Sequence, residues 1–239
     1  MSTRTQRVLL CWGLVGALVW VADLRFLFHM FPPPSATWTA TQVADFYAEH
    51  SVEIRVGACI SSWVAGFFVP LAVVIAVQIY RHENGRPLWS VVCCSSGAMT
   101  SIFAVLPPIF WGVAAFTPSR APEITSVMHE LGVLSYITTV QYFAFMWVGV
   151  AVICLTPNSV VHSPFPRWFG YFSAWVTVMI EVAPIAFLTR SGPFAWNGLV
   201  VFWMPFILFG AWAAALFILL FRAIAQQERD EAVHVGASA

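Results

Sequence analysis

The chain has no lysine and few charged residues of any kind. All eleven basic residues are arginine, and charged residues make up 9% of the 239 residues. Without lysine the chain cannot use a mechanism that depends on a lysine Schiff base. The eleven basic residues are balanced by eleven acidic ones. Nucleic-acid binding needs a basic surface, so we expect no nucleic-acid partner.

Cysteine is also sparse, and its spacing excludes a redox or zinc-ribbon motif. None of the five cysteines forms a C-x-x-C pair. A disulfide between the adjacent Cys93 and Cys94 would be strained. We therefore interpret all five as small apolar residues of helices.

Hydrophobic residues dominate what remains. They make up 60% of the chain, and the mean hydropathy is +0.80. A soluble domain has about 25% charged residues, so this chain could not cover a water-facing surface. We expect the lipid bilayer to solvate much of it.

Six apolar runs reach the roughly 20 residues that a helix needs to cross the hydrocarbon core. They cover residues 8–31, 57–80, 88–116, 131–155, 168–188 and 199–221. The first is too long for a signal peptide, and no small-x-small cleavage site follows it. The predicted fold is therefore one all-α domain, a polytopic membrane helix bundle of six transmembrane helices.

The arginines predict the orientation. With the N-terminus inside, seven arginines lie at inner positions and four at outer positions. The positive-inside rule then places both termini in the cytoplasm. Residues 226–239 are polar and are expected to form a flexible cytoplasmic tail.

The first outer connection contains a short amphipathic helix. Three prolines, residues 32–34, stop the first span. The candidate N-caps that follow are Ser35, Thr37, Thr39 and Thr41. Apolar residues then recur at helical spacing, with Asp45, Glu49 and Glu53 on another face. This pattern predicts an interfacial helix that runs into the second span near Gly57.

Ionisable residues inside the spans gather in the outer half. Glu181 lies 14 residues after Arg167, about 21 Å along a helix, and Asp23 lies about 24 Å beyond Arg7. Charges at such depths are costly and suggest a function. The candidate ligand-binding residues are Asp23, Arg25, His29, Arg55, His129, Glu130 and Glu181. Glu181 is also the candidate catalytic acid or base.

Two other interpretations of these residues remain open. Asp23 or Glu181 could form structural ion pairs with Arg25 or Arg55. A metal site could use His29, His129, Glu130 and Glu181, but no H-x-x-x-H or H-E-x-x-H spacing is present. Adjacent helical residues such as His129 and Glu130 do not share a face, so we expect no metal site and no cofactor.

Proline also occurs inside or near the ends of four spans. The positions are Pro70, Pro107, Pro108, Pro184 and Pro205. Each frees a backbone carbonyl and permits a kink. Broken helices form binding sites in transporters, although no internal repeat relates the two halves of this chain.

Three stretches carry a resemblance to a known group of proteins: HELGVLSY at 129–136, FPRWFGY at 165–171 and GPFAWNG at 192–198. Together they resemble a family of small, uncharacterised bacterial six-helix membrane proteins, carried as a domain of unknown function. The resemblance is best over the second half of the chain. It implies the six-helix fold and a bacterial inner membrane location, and it transfers no activity.

Three functions remain open from the sequence. The first is binding or transport of a small apolar or amphipathic molecule in an outward-facing polar pocket. The second is a membrane enzyme that uses Glu181 as general acid or base on a lipid-soluble substrate. The third is an accessory or structural subunit, with a homo-oligomer or a membrane complex as its partner.

Overall fold

The structure is a computed structural model that describes residues 1–157 and 159–237. Over these residues it is an all-α bundle of six helical spans with one short helix outside them. Nine α-helices build it: α1 Thr3–Phe26, α2 Ala40–Glu49, α3 Ser51–Val64, α4 Phe68–Tyr80, α5 Leu88–Phe116, α6 Pro122–Thr138, α7 Ala144–Leu155, α8 Arg167–Ile180 and α9 Met204–Ala237. The predicted fold class is confirmed.

The six spans agree with the apolar runs and differ from them mainly at their ends. Helix α1 begins five residues earlier than predicted, because Ser2 caps it by accepting a hydrogen bond from the Thr5 backbone N–H. It also ends before the three prolines, at Phe26. Helices α3 and α4 together form the second span, and α6 and α7 form the fourth.

Helix α2 is the amphipathic helix expected outside the spans. Thr39 and Gln42 form a capping box at its start, which satisfies two backbone N–H groups reciprocally. Val43 and Tyr47 are buried against α6, whereas Asp45 faces outward. The end of the bundle that carries α2 is called the cap end. The opposite end, where α1 begins and α9 finishes, is called the terminal end.

The last helix is longer than its apolar run. Helix α9 continues through Ala237, although residues from 226 onward were predicted to be a flexible tail. Its added turns contact α1: Glu228 pairs with Arg7 at 2.5 Å, and the Thr3 hydroxyl donates to Glu231 at 2.9 Å. These contacts stabilise the helical conformation of this polar segment. Residues 238–239 of the predicted tail lie outside the described residues.

A buried glutamine joins three helices at the terminal end. The side-chain amide of Gln78 donates to Gln6 at 2.6 Å and to Gln227 at 3.2 Å. Its carbonyl oxygen accepts from Arg81 at 2.8 Å and from Gln227 at 3.2 Å. Because every hydrogen-bonding atom of this side chain is satisfied, the network ties α1, α4 and α9 together.

The spans pack closely where glycine faces a neighbouring helix. Gly97 of α5 lies against Ala72 of α4, and a Cβ added at Gly97 would overlap the Ala72 side chain. Apolar helices gain little from the hydrophobic effect in a bilayer, so close packing through small residues supplies much of their attraction.

The Gly97→Ala variant should therefore be destabilised. We expect it to lose about 1–3 kcal/mol of unfolding free energy, because the overlap with Ala72 forces the helices apart. Denaturation of the purified protein in mild detergent measures the loss. Gly210→Ala is the matched control, since open space surrounds Gly210 in α9. Equal effects of the two substitutions would contradict the packing argument.

His82 adds a pH-sensitive contact at the terminal end, outside the spans. Its Nδ1 lies 3.0 Å from the Gln78 carbonyl, and its Nε2 lies 2.8 Å from the Ser163 hydroxyl. Burial lowers the pKa of His82, and the charge of Arg81 lowers it further. The folded protein therefore favours the neutral ring.

Acidification should destabilise the protein through His82. Below about pH 6.5 the unfolded chain binds a proton at this position that the folded chain resists, so stability falls as pH falls. We expect His82→Gln to lose less of its melting temperature than the unchanged protein between about pH 7.5 and pH 5.5. An identical pH dependence of the two proteins would exclude this role.

Candidate functional site

Four of the six spans contain a segment that is not α-helical: in two spans it lies partway along, in one it ends the span and in one it begins the span. These four are called the interrupted segments. Short 3-10 segments occupy Ala65–Phe67, Thr139–Phe143 and Ala183–Leu188, and a π-helical segment occupies Leu199–Trp203. Such segments alter the backbone hydrogen-bond pattern and often occur at functional sites.

Proline accounts for three of these interruptions. Pro184 lies inside its 3-10 segment, Pro70 follows Phe67 by three residues, and Pro205 follows the π-helical segment by two. Proline lacks the N–H that a continuous helix would use. The interruption at 139–143 has no proline, and Pro107 and Pro108 lie inside an uninterrupted α5. A change of helix type therefore lies at or near Pro70, Pro184 and Pro205 and not at Pro107 or Pro108.

All four interrupted segments contribute to the wall of one cavity. Its volume is about 120 Å³. The contributing residues are Phe67, Val140, Ala183, Val201 and Phe202. An engineered apolar protein cavity of about 150 Å³ stays dry and binds benzene, so this space suits a small apolar group.

Aromatic rings form another wall of the cavity. Trp20 contacts Phe103 at 5.2 Å and Tyr136 at 5.9 Å between ring centroids, and Phe103 and Tyr136 stack at 4.9 Å. Trp20 and Tyr136 are the lining residues with a polar side-chain atom. The Trp20 indole N–H already donates to the Ala104 carbonyl at 3.2 Å. The Tyr136 phenol is therefore the polar group that a ligand in the cavity could use.

We infer that the cavity opens to the outside of the bundle between α1 and α9, because its exposed lining residue, Val21, lies there. Val21 lines it and is 43% exposed, and Phe206 lines it from α9. Leu18 and Ile207 beside this opening are exposed apolar residues. Phe31 packs on Phe206 at 4.5 Å between ring centroids. A bilayer would cover this apolar surface, so the opening faces lipid rather than water.

The ionisable candidates from the sequence do not line this cavity. Glu181 is exposed on the outside of the bundle, although its neighbours Ile180 and Ala183 do line the cavity. The other candidates lie toward the cap end in separate groups.

Asp23 is the most buried carboxylate among them. It accepts a hydrogen bond from the Ser61 hydroxyl at 2.5 Å, and its second oxygen has no partner within the described residues. Gly57 leaves room for that second oxygen, since a Cβ there would lie 3.0 Å from it. Asp23 thus joins α1 to α3 through a hydroxyl, and no arginine is involved.

Loss of the Ser61 hydroxyl should leave the Asp23 carboxyl without a partner. We expect Ser61→Ala to cost about 1–3 kcal/mol of unfolding free energy, since an unsatisfied buried polar group is expensive. Ser62→Ala is the control, because the exposed Ser62 hydroxyl bonds only to the Ala58 carbonyl of its own helix. Thermal denaturation in detergent compares them, and a loss in the control equal to that of Ser61→Ala would refute the assignment.

His129, which lies on α6, connects this helix to α2 at the cap end. Its Nδ1 lies 3.0 Å from the Tyr47 hydroxyl, and its ring packs against Trp196 at 5.9 Å between centroids. Burial raises the pKa of Tyr47, so the phenol keeps its proton. The tautomer of His129 sets which of the two groups donates the hydrogen bond. The Trp196 indole in turn donates to the Pro34 carbonyl at 2.8 Å.

Three further candidates make contacts at the surface. Glu130 pairs with Arg190 at 3.1 Å, Arg25 lies over the Phe26 ring at 5.6 Å, and Arg55 donates to the Ser51 carbonyl at 3.1 Å. Within the described part of the chain, neither Asp23 nor Glu181 forms an ion pair with Arg25 or Arg55.

His29 has two partners that the sequence analysis did not assign to a site. Its Nε2 lies 2.6 Å from Glu53 Oε2, and His50 Nδ1 lies 3.1 Å from the same oxygen. The i,i+3 spacing of His50 and Glu53 was a usable signal for this contact. The approach of His29 was not, because it depends on how the chain turns after α1.

The cavity-lining aromatic residues were also missed. The sequence feature that could have indicated these residues is that Phe67 and Phe202 lie close to Pro70 and Pro205, where helix interruptions were expected. Charged residues inside membrane spans are the usual indicators of function, and these aromatic residues carry no charge.

In comparisons with protein-family models, curated proteins and solved structures, nothing matches the chain. The resemblance to small six-helix bacterial membrane proteins stays a prediction. The class that the fold defines is a multi-pass membrane helix bundle, and its function has to be argued from its own geometry.

Proposed function

We propose that this integral membrane protein binds a small apolar or weakly amphipathic molecule that reaches the cavity from the bilayer. One observation carries the proposal: all four interrupted segments meet at the cavity wall. A segment that is not α-helical weakens the backbone hydrogen bonding of its span. Two such segments partway along spans and two at span ends, all around one space, favour a binding site there.

The lining restricts the chemistry of the ligand. An apolar molecule gains little transfer free energy when it moves from lipid tails into an apolar cavity. Its affinity must come from van der Waals contacts with the fixed rings of Trp20, Phe67 and Phe103, and from the Tyr136 phenol. A molecule with one hydrogen-bond acceptor on an apolar body fits these demands. A fatty acid or an isoprenoid alcohol would place only one end in a cavity of about 120 Å³, with the rest of its chain in the opening and the lipid.

The position of Glu181 bears on the alternative functions. A general acid or base must lie within hydrogen-bond reach of its substrate, and Glu181 lies outside the cavity. Binding is therefore favoured over catalysis by Glu181. The arginines support a bacterial plasma membrane orientation with both termini cytoplasmic, which would direct α2 to the outer face.

Blocking the opening should prevent binding. In Val21→Trp the indole would fill the opening between α1 and α9, and we expect at least a tenfold loss of affinity, which corresponds to about 1.4 kcal/mol. The probe is a fatty acid that carries a diazirine and an alkyne, added to vesicles that contain the protein. Adducts in the peptide around Phe202 and Phe206, competed by excess oleate, report occupancy.

Val15→Trp is the matched control for this experiment. Val15 lies on the same helix and is 59% exposed, and it does not line the cavity. Its substitution should leave the competed labelling unchanged. Labelling that oleate does not compete, or that both variants reduce equally, would indicate general lipid contact and overturn the proposed function.

A further inference from the structure

We propose that His29, His50 and Glu53 form a binding site for one divalent transition-metal ion of the Zn²⁺ class. The site lies at the cap end and is separate from the cavity. It does not depend on the proposed binding function.

The three donor atoms already converge. His29 Nε2 and His50 Nδ1 face the same carboxylate oxygen of Glu53, at 2.6 Å and 3.1 Å. One donor atom from each of the three side chains lies within 4.8 Å of the other two. The two imidazole rings stack at 4.2 Å between centroids. Among the described residues, this is the group of three that could hold a metal ion.

Small movements would fit an ion between these atoms. Zn²⁺ bonds of about 2.1 Å in tetrahedral geometry set the donors about 3.4 Å apart. The contacts to Glu53 would each lengthen by less than about 1 Å, which side-chain rotation can supply. The ion would take the place of the two N–H hydrogens, which now both point at one oxygen of Glu53.

The backbone holds the three residues in place from both sides. His29 adopts φ +54°, and its neighbours Phe28 and Met30 are buried with backbone bonds to Asp23 and Leu24 of α1. His50 is the residue between α2 and α3. Glu53 follows in the first turn of α3, beside the buried Ile54.

The ligand set selects the kind of ion. Two imidazoles and one carboxylate suit Zn²⁺, Fe²⁺ or Cu²⁺ and bind Mg²⁺ or Ca²⁺ poorly, since those ions prefer oxygen. The three side chains are between 25% and 51% exposed, so an ion can reach them and a water molecule can complete the coordination. Bound there, the ion would tie the end of α1 to the junction of α2 and α3.

Metal titration of the full-length protein tests the site, with any affinity tag removed. We expect one Zn²⁺ per chain by elemental analysis after dialysis, and tetrahedral absorption bands with Co²⁺. His50→Gln and Glu53→Gln should each weaken Zn²⁺ affinity by about 100-fold, the upper end of what losing a group that only supports a ligand costs. At the same Zn²⁺ concentration, the melting temperature of the unchanged protein should rise more than that of either variant.

His162→Asn is the matched control, and His29→Asn is the variant to compare with it. His162 has φ +53° and lies 2.6 Å from Asp230, so it repeats the His29 backbone and its carboxylate contact without a second histidine. Asparagine tolerates this backbone conformation at both positions. Stoichiometric binding that is lost in His29→Asn and kept in His162→Asn supports the site. Absent stoichiometric binding, or equal affinity in the His50→Gln and unchanged proteins, overturns it.

Discussion

The bilayer leaves every backbone N–H and C=O to find a partner within the protein, and the rest of this structure depends on that constraint. A helix meets the requirement by itself, so the chain crosses as six helical spans. Each segment that departs from α-helix places at least one buried side chain in the bundle: Phe67, Phe143, Ala183 and Val201. One face of each of these segments therefore meets the bundle interior, where the cavity lies, although Leu188 and Leu199 are exposed on other faces.

Polar networks lie at the two ends of the bundle. In the mainly apolar and aromatic middle, single hydrogen bonds join helices, such as Trp20 to the Ala104 carbonyl and Trp212 to Ser173. Gln78 joins α1, α4 and α9 at the terminal end. His129 and Tyr47 fasten α2 at the cap end. This arrangement holds the helices at both ends by directional bonds, which apolar packing in lipid supplies weakly.

Asp23 shows how one buried carboxyl is accommodated in such a bundle. A salt bridge would place two charges in low dielectric, and its desolvation cost can exceed the attraction between them. The chain instead gives Asp23 a hydroxyl partner, Ser61, and leaves space beside it at Gly57. The arginines that were candidates for pairing, Arg25 and Arg55, stay at the surface, where water or lipid headgroups can solvate them.

The spans and the amphipathic helix were predictable from the sequence, because hydrophobic length and helical periodicity are local properties. Helix α5 matches its apolar run at both ends, and Thr39 was among the candidate caps of α2. The prolines in the sequence also indicated three of the four interrupted segments, since proline alters the helix in which it lies.

Which side chains come into contact depends on how the helices pack in the whole bundle. The rotation of each helix about its axis turned Glu181 outward and His129 inward, and the turn of the chain after α1 brought His29 to Glu53 across 24 residues of chain. Rotation follows from packing against neighbours, such as Gly97 on Ala72, and no local pattern reveals it. For this reason, residues that share a depth in the membrane were predictable, whereas residues that share a site were not.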